Sequence, residues 1–180
     1  MDRNLFIRYD KLAREAQIKR GTKESLEWFR QRVRKDNVKF ESVTSSLSTG
    51  RLRPGGMFAY QYDPKLKETL PYYDSNPLVI ILEFSPNGWY GANLHYLPPT
   101  LRVKLMEEVI LQKRRPGQVV SMLESNNMTK VCLKRYLANH VTSKPKEIPQ
   151  EEWDLAIQLP FESFEKAMMK EVWKKSKSKI

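Results

Sequence analysis

Residues able to do chemistry are few in this chain and widely spaced. Asp63, Asp74 and Glu83 fall within one Tyr- and Pro-rich stretch, and converging carboxylates hold divalent ions in metal-dependent nucleases. Asp63 precedes Pro64 and Asp74 precedes Ser75, however, and Asp side chains stabilise turns by accepting backbone hydrogen bonds. The turn reading is preferred. His95 and His140 lie far apart and Cys132 is the only cysteine, so a His/Cys zinc site is not expected. A Ser-His-Asp catalyst would need one of these histidines as base, and no nucleophile elbow accompanies either. His95, beside Tyr96, is read as a hydrogen-bonded packing residue. No catalytic residue, metal or cofactor is assigned, and the chain is read as a non-enzyme.

Cations, by contrast, are abundant. The 180 residues hold 32 Lys and Arg against 21 Asp and Glu, a formal net charge of +11. Residues 1–53 carry 14 against 7, residues 54–110 carry 4 against 6, and residues 111–180 carry 14 against 8. A slightly acidic centre thus separates two basic flanks, and such flanks bind polyanions by neutralising phosphates and releasing counterions. The candidate DNA-binding residues are Arg30, Arg32, Arg34 and Lys35 on one predicted helix, Arg51 and Arg53 beside a Pro-Gly-Gly turn, and Lys113, Arg114 and Arg115. The helical charge run reads either as a solvated face or as a phosphate-facing one. The Tyr-rich strands of the acidic centre are read as core and not as a base-stacking platform.

No membrane partner is expected. The longest apolar run, Pro77 to Leu82, is far short of a span, and no basic helix has a clear Trp/Phe/Leu face. Met1-Asp-Arg-Asn4 lacks the regions of a secretory signal, and a single cysteine fits a reducing cytosol.

Short elements must position these residues. Asn4–Gln17 is predicted as a helix with Leu5, Tyr9, Leu12 and Ala16 at helical spacing. Gly21 is its expected stop, and Thr22 the N-cap of a second helix to about Asp36, with the stripe Leu26, Phe29 and Val33. Ser42–Ser48 and the turn Arg51-Leu-Arg-Pro-Gly-Gly56 form the best linker. They divide a basic helical arm and linker, residues 1–53, from an α+β module with a basic C-terminal tail, residues 54–180.

Met57–Tyr62 and Leu78–Phe84 read as strands. Ser85-Pro-Asn-Gly88 reads as a hairpin with Asn87-Gly88 at its tip in positive dihedrals, and Trp89–Leu97 as the return strand. Pro98-Pro99-Thr100 opens a helix with Leu101, Leu105, Val109 and Ile110 inward. Val131–His140 is predicted as a helix, Leu155–Leu159 as a strand closing the sheet, and Phe161–Lys174 as a terminal helix with Phe164, Met168 and Val172 in step. Lys174–Lys179 is an expected mobile tail. The fold class is α+β, a small antiparallel sheet bracketed by helices with an N-terminal helical arm; an SH3-like barrel with helical additions is one way to build it.

Certain motifs go further than composition. The stretch Met57 to Asp74, with Tyr62-Asp63 and Leu70-Pro-Tyr-Tyr-Asp74, is followed by Asn93-Leu-His-Tyr-Leu-Pro-Pro99. Lys134-Arg-Tyr-Leu137, His140-Val141, Glu147-Ile-Pro-Gln-Glu-Glu-Trp-Asp154 and Leu159-Pro160 come after it in order. This series, spanning about residues 57 to 173, resembles a family of virion-associated proteins of T-even-type tailed phages associated with the name DNA end protector. The resemblance implies a structural protein of the virion and, on entry, of the host cytoplasm. Its partners would be double-stranded DNA and phage head or neck proteins. It would coat the ends of packaged linear DNA, block host exonuclease attack and help complete the head. An assembly component of head, neck or baseplate, acting by protein–protein contacts, is the alternative. The resemblance supplies no catalytic or binding-residue pattern.

Overall fold

The structure is a computed structural model and describes residues 5–19, 22–45, 47–111 and 115–177. Five strands, β1 (Met57–Ala59), β3 (Leu78–Ser85), β4 (Gly88–Asn93), β5 (Leu133–Leu137) and β6 (Lys146–Ile148), form an open antiparallel sheet ordered β5-β4-β3-β1-β6. A separate two-stranded pair joins β2 (Tyr73–Asp74) to β7 (Phe164–Glu165). Among the described residues seven α-helices accompany them: α1 (Leu5–Glu15), α2 (Lys23–Lys35), α3 (Phe40–Thr44), α4 (Pro99–Leu111), α5 (Pro116–Ser125), α6 (Trp153–Ala156) and α7 (Met169–Lys177). The class is α+β, and the sheet does not close into a barrel.

Strand β3 is buried on both faces, which is why Leu78 to Leu82 reads as an unbroken apolar run. Leu78, Ile80 and Leu82 share the main core with Tyr9 and Ala13 of α1, Phe29 and Val33 of α2, Leu105 of α4 and Leu123 of α5. Helices and sheet therefore bury one common apolar interior. Val79 and Ile81 point the other way, into a smaller cluster with Phe58, Tyr60, Tyr62, Trp89 and Tyr136. Leu52 and Val141, from flanking loops, close that side. The Trp89 indole donates to the Tyr60 hydroxyl at 3.1 Å, and the Tyr62 hydroxyl accepts from Leu137 N at 3.1 Å. Buried Tyr and Trp polar atoms are thus partnered, as burial requires.

Several predicted elements take other forms. Helix α1 stops at Glu15 with Gln17 in the left-handed region (φ 52°), ahead of Gly21, which lies outside the described residues. The first part of the Ser/Thr-rich linker is α3, whose Val43 is buried together with the following Leu47. In the hairpin, Ser85 pairs with Gly88, so Pro86 and Asn87 make the turn. Gly88 has no positive φ; it is required because a Cβ there would lie 1.8 Å from Tyr136 O on β5. The return strand ends at Asn93, whose side chain accepts from His95 N at 3.0 Å and caps a 3₁₀ turn over Leu94–Tyr96.

The remaining differences lie in the second half. Val131–His140 is strand β5 between two 3₁₀ turns, not a helix. Leu155–Leu159 is not a strand, since Leu155 and Ala156 belong to α6, and the sheet edge is β6 instead. The terminal helix begins only at Met169, because Phe164–Glu165 pairs with β2 and Lys166 takes φ 68°. It continues to Lys177, into the segment expected as a tail.

Candidate nucleic-acid interface

Thr22 starts α2. Its hydroxyl accepts from Ser25 N at 3.1 Å while Ser25 Oγ accepts from Thr22 N at 3.1 Å, a reciprocal cap that satisfies two otherwise unpaired donors. Leu26, Phe29 and Val33 face the core and so turn the four candidate cations outward. They do not behave alike. Arg32 Nε lies 3.6 Å from Asp36, which also accepts from Arg8 at 3.3 Å and from the Tyr9 hydroxyl at 3.2 Å. Burial and the Asp36 charge push the Tyr9 hydroxyl up to about 12. Arg30 lies over the Trp173 ring, 5.4 Å from its centroid, within cation–π range. Arg34 and Lys35 stand exposed in the last turn, where cations suit the helix carbonyls.

Contact between Arg30 and Trp173 joins α2 to α7. Val172 and Trp173 are buried, so the exposed Lys170 and Lys174, one turn apart, line the outer side of α7. Arg34 follows Arg30 by one turn on α2. Exposed cations therefore stand on both helices that this contact, called here the α2–α7 seam, brings together, and Lys170 and Lys174 are not among the candidates that sequence alone suggests. The missing signal is tertiary, since nothing in the local sequence says that residues 30 and 173 meet.

The other candidates lie elsewhere. Arg51 is exposed; Arg53 pairs with Glu147 of β6 at 2.5 Å, in the loop whose Leu52 covers the aromatic face of the sheet. α2 packs on the opposite face, so the structure does not bring these two groups into one patch. Arg115 is exposed just before α5, its backbone N–H donating to Gln118 Oε1 at 3.1 Å. Lys113 and Arg114 lie outside the described residues.

Beneath the seam is a buried polar network. Asp74 Oδ2 accepts from Asn93 Nδ2 at 3.0 Å and meets His95 Nδ1 at 2.8 Å, and Asp74 Oδ1 accepts from Asn76 N and Ser163 N, both at 3.2 Å. Asp74 thus holds a turn and also binds the histidine. Arg102 is fully buried, donating to Leu97 O at 2.8 Å, Ile157 O at 3.2 Å, His95 O at 3.4 Å and the Glu162 carboxylate. The Trp173 indole donates to His95 O at 2.9 Å, tying α7 to the network. Burial pushes the Glu162 carboxyl up, but the Arg102 and His95 charges outweigh it and hold it below the ordinary carboxylate value.

Chemically, the network is enclosed. The Asp74 and His95 side chains are each 1 % exposed, and the cavity His95 borders, about 20 Å³, has room for roughly one water. Asp63 is exposed and paired with Lys67 at 2.9 Å, and Glu83 is exposed beyond the β3 irregularity. The three carboxylates do not converge. Among the described residues no group of three or more His, Cys, Asp or Glu is placed to hold a metal. No helix of the described residues is long and apolar enough to cross a membrane.

A family model described as phage T4 terminal DNA protecting protein matches residues 8–177. The chain belongs to this family. The match takes in the two N-terminal helices, which the motif series from residue 57 onward did not reach. No curated protein and no solved structure matches the chain.

Proposed function

We propose that this member of the terminal DNA protecting family binds the ends of linear duplex DNA through phosphate contacts and shields them from exonuclease, without catalysing a reaction itself. The family match over residues 8–177 is the observation that carries the reading. A net charge of +11 and the exposed Arg34, Lys35, Lys170 and Lys174 at the α2–α7 seam support a phosphate-facing surface there. Arg51 and Arg115 add exposed cations elsewhere on the surface, and Lys113 and Arg114 remain candidates from the sequence, while Arg30 packs on Trp173 and Arg32 lies beside Asp36. The protein acts in the virion and, after entry, in the host cytoplasm. Incubating an end-labelled linear duplex with a processive exonuclease tests this. Digestion slows with protein concentration and recovers as salt is raised, because each phosphate contact releases counterions. Undiminished digestion at saturating protein would refute it.

A second reading, assembly on head, neck or baseplate proteins, is favoured by one local feature. Leu66 is 62 % and Met168 73 % exposed, and Lys166, between β7 and α7, donates to Lys67 O and Glu68 O of the Leu66 loop. On that reading, replacing both apolar residues by Ser weakens association with phage structural proteins and leaves exonuclease protection intact.

A further inference from the structure

A cleft of about 220 Å³ opens between α3 and the sheet where β1 and β6 separate. Their last pair is Ala59 with Lys146. The chains meet again where Ser143 Oγ accepts from Gln61 N at 2.8 Å and Thr142 N donates to Gln61 O at 2.9 Å. Lys144 and Lys146, in the gap, both line the cleft, and Lys144 is exposed. Lys146 Nζ donates to Leu47 O at 3.0 Å, which fixes the ammonium group and leaves two of its three donors. Ser143 Oγ accepts from the backbone, so its own proton is free to donate; Gln61 adds an amide with two N–H donors. Glu41 is the one acid among the lining residues. The lining thus holds two ammonium groups, the Ser143 hydroxyl and an amide against one carboxylate, while the Thr44, Ser45 and Tyr60 hydroxyls are engaged with Phe40 O, Ser42 O and Trp89. The recess behind, sharing Phe40 and Ala59, is apolar and holds no more than about one water, so an occupant ends there.

We propose that this cleft receives the terminal phosphate monoester of a DNA strand; the proposal rests on the end-binding reading above. An internal phosphodiester carries one negative charge, and the chain continues on both sides of it, so it cannot enter end-on. A terminal monoester carries about −1.5 to −2 charges at pH 7 and three strong acceptor oxygens. It matches the donors on the wall, and it exists only at ends and nicks. The cleft thereby distinguishes an end from the interior of a duplex, which the basic seam alone does not.

The test measures the affinity of the full chain for one duplex in four forms: 5′-phosphorylated, 3′-phosphorylated, dephosphorylated, and closed by hairpins at both ends. One phosphorylated form binds about tenfold tighter than the dephosphorylated form, the size expected of one charge-assisted hydrogen bond. K144Q removes that preference and leaves the other affinities unchanged, whereas K170Q weakens all four forms alike. The 5′ and 3′ arms identify which strand end is held. Equal affinity for phosphorylated and dephosphorylated ends overturns the cleft proposal, and end binding stands or falls separately on whether both exceed the hairpin-closed form. If no duplex binds, end binding fails, and calorimetric titration with thymidine 5′- and 3′-monophosphate decides the cleft. Binding that K144Q abolishes supports it; no binding overturns it.

Discussion

Two arginines share one tryptophan. Arg102 approaches the Trp173 ring from inside, 5.7 Å from its centroid, and Arg30 from the α2 side at 5.4 Å. Around Arg102 the polar groups meet one another within the protein: it donates to Glu162 and three carbonyls, one of them that of His95, whose ring meets Asp74, while Glu162 Oε2 is buried without a hydrogen bond. Around Arg30, the neighbouring Arg34, Lys35, Lys170 and Lys174 are exposed to water. Charge is placed in two different settings. Inside, it pairs buried groups and ties α7 to them; outside, on the function proposed above, its free energy is realised only when an anion arrives, and salt screens it. Trp173 touches both sets, through Arg102 and the His95 carbonyl on one side and Arg30 on the other.

The largest expected effect falls on the inner set. Arg102→Met leaves the Glu162 carboxylate buried without its cation, and removing one partner of a buried pair costs about 3–5 kcal/mol. Urea denaturation reads this directly, and a loss below about 1 kcal/mol would mean that the inner set is not holding the fold. Gly88→Val comes next. Its Cβ would meet backbone at 1.8 Å, so β5 must shift, at a cost of about 3 kcal/mol in thermal or urea unfolding. Unchanged stability there would show that β4 and β5 separate easily.

Neutralising Arg34, Lys35, Lys170 and Lys174 together should leave stability within about 0.5 kcal/mol. The log–log salt slope of duplex binding should fall by roughly 0.9 for each phosphate that is no longer neutralised. A slope identical to wild type would remove the seam from the interface. The smallest effect is expected at the carboxylates outside both sets. Asp63→Asn and Glu83→Gln leave duplex affinity unchanged, since both are exposed and, among the described residues, belong to no cluster able to hold a metal. The wild type is expected not to cut linear duplex with Mg²⁺ or Mn²⁺. Metal-dependent cleavage that disappears in either variant would return the carboxylates to the centre of the mechanism.

The helices with a clean 3.6-residue stripe and a cap are legible in the sequence, as α2 shows with Thr22, Leu26, Phe29 and Val33. So is β3, whose burial on both sides leaves an apolar run. Strand β5 is not. Its half-buried Leu133 and Leu137 flank the buried Tyr136 at i, i+3, i+4, which imitates a helical face. Leu155–Leu159 misleads for the opposite reason: all five residues are buried, so no face distinguishes a helical turn from a strand. Phe164 belongs to a strand whose partner, Asp74, lies far earlier in the chain, beyond any local signal. The candidate cations are readable as types, but their grouping is not. Arg32 pairs with Asp36 one turn along the same helix, but Arg30 meets Trp173 of α7 through a contact that only the folded chain makes, and that contact is what brings the helix of Lys170 and Lys174 beside α2.

The hydrogen bond between Ser25 and Gln158 spans 133 positions, Asp74 to Ser163 spans 89, and His95 to Trp173 spans 78. Each closes a long loop whose entropy is given up before the bond forms, and chains dominated by such pairings fold slowly. The inner set cannot assemble piecemeal, because its members come from the middle and the far end of the chain. A nascent polypeptide ending before residue 160 would carry Arg102 and Asp74 with neither Glu162 nor Ser163 to meet them. Such a chain has Arg30 and Arg34 but neither Trp173 nor the lysines of α7, so the seam itself appears only in the finished protein.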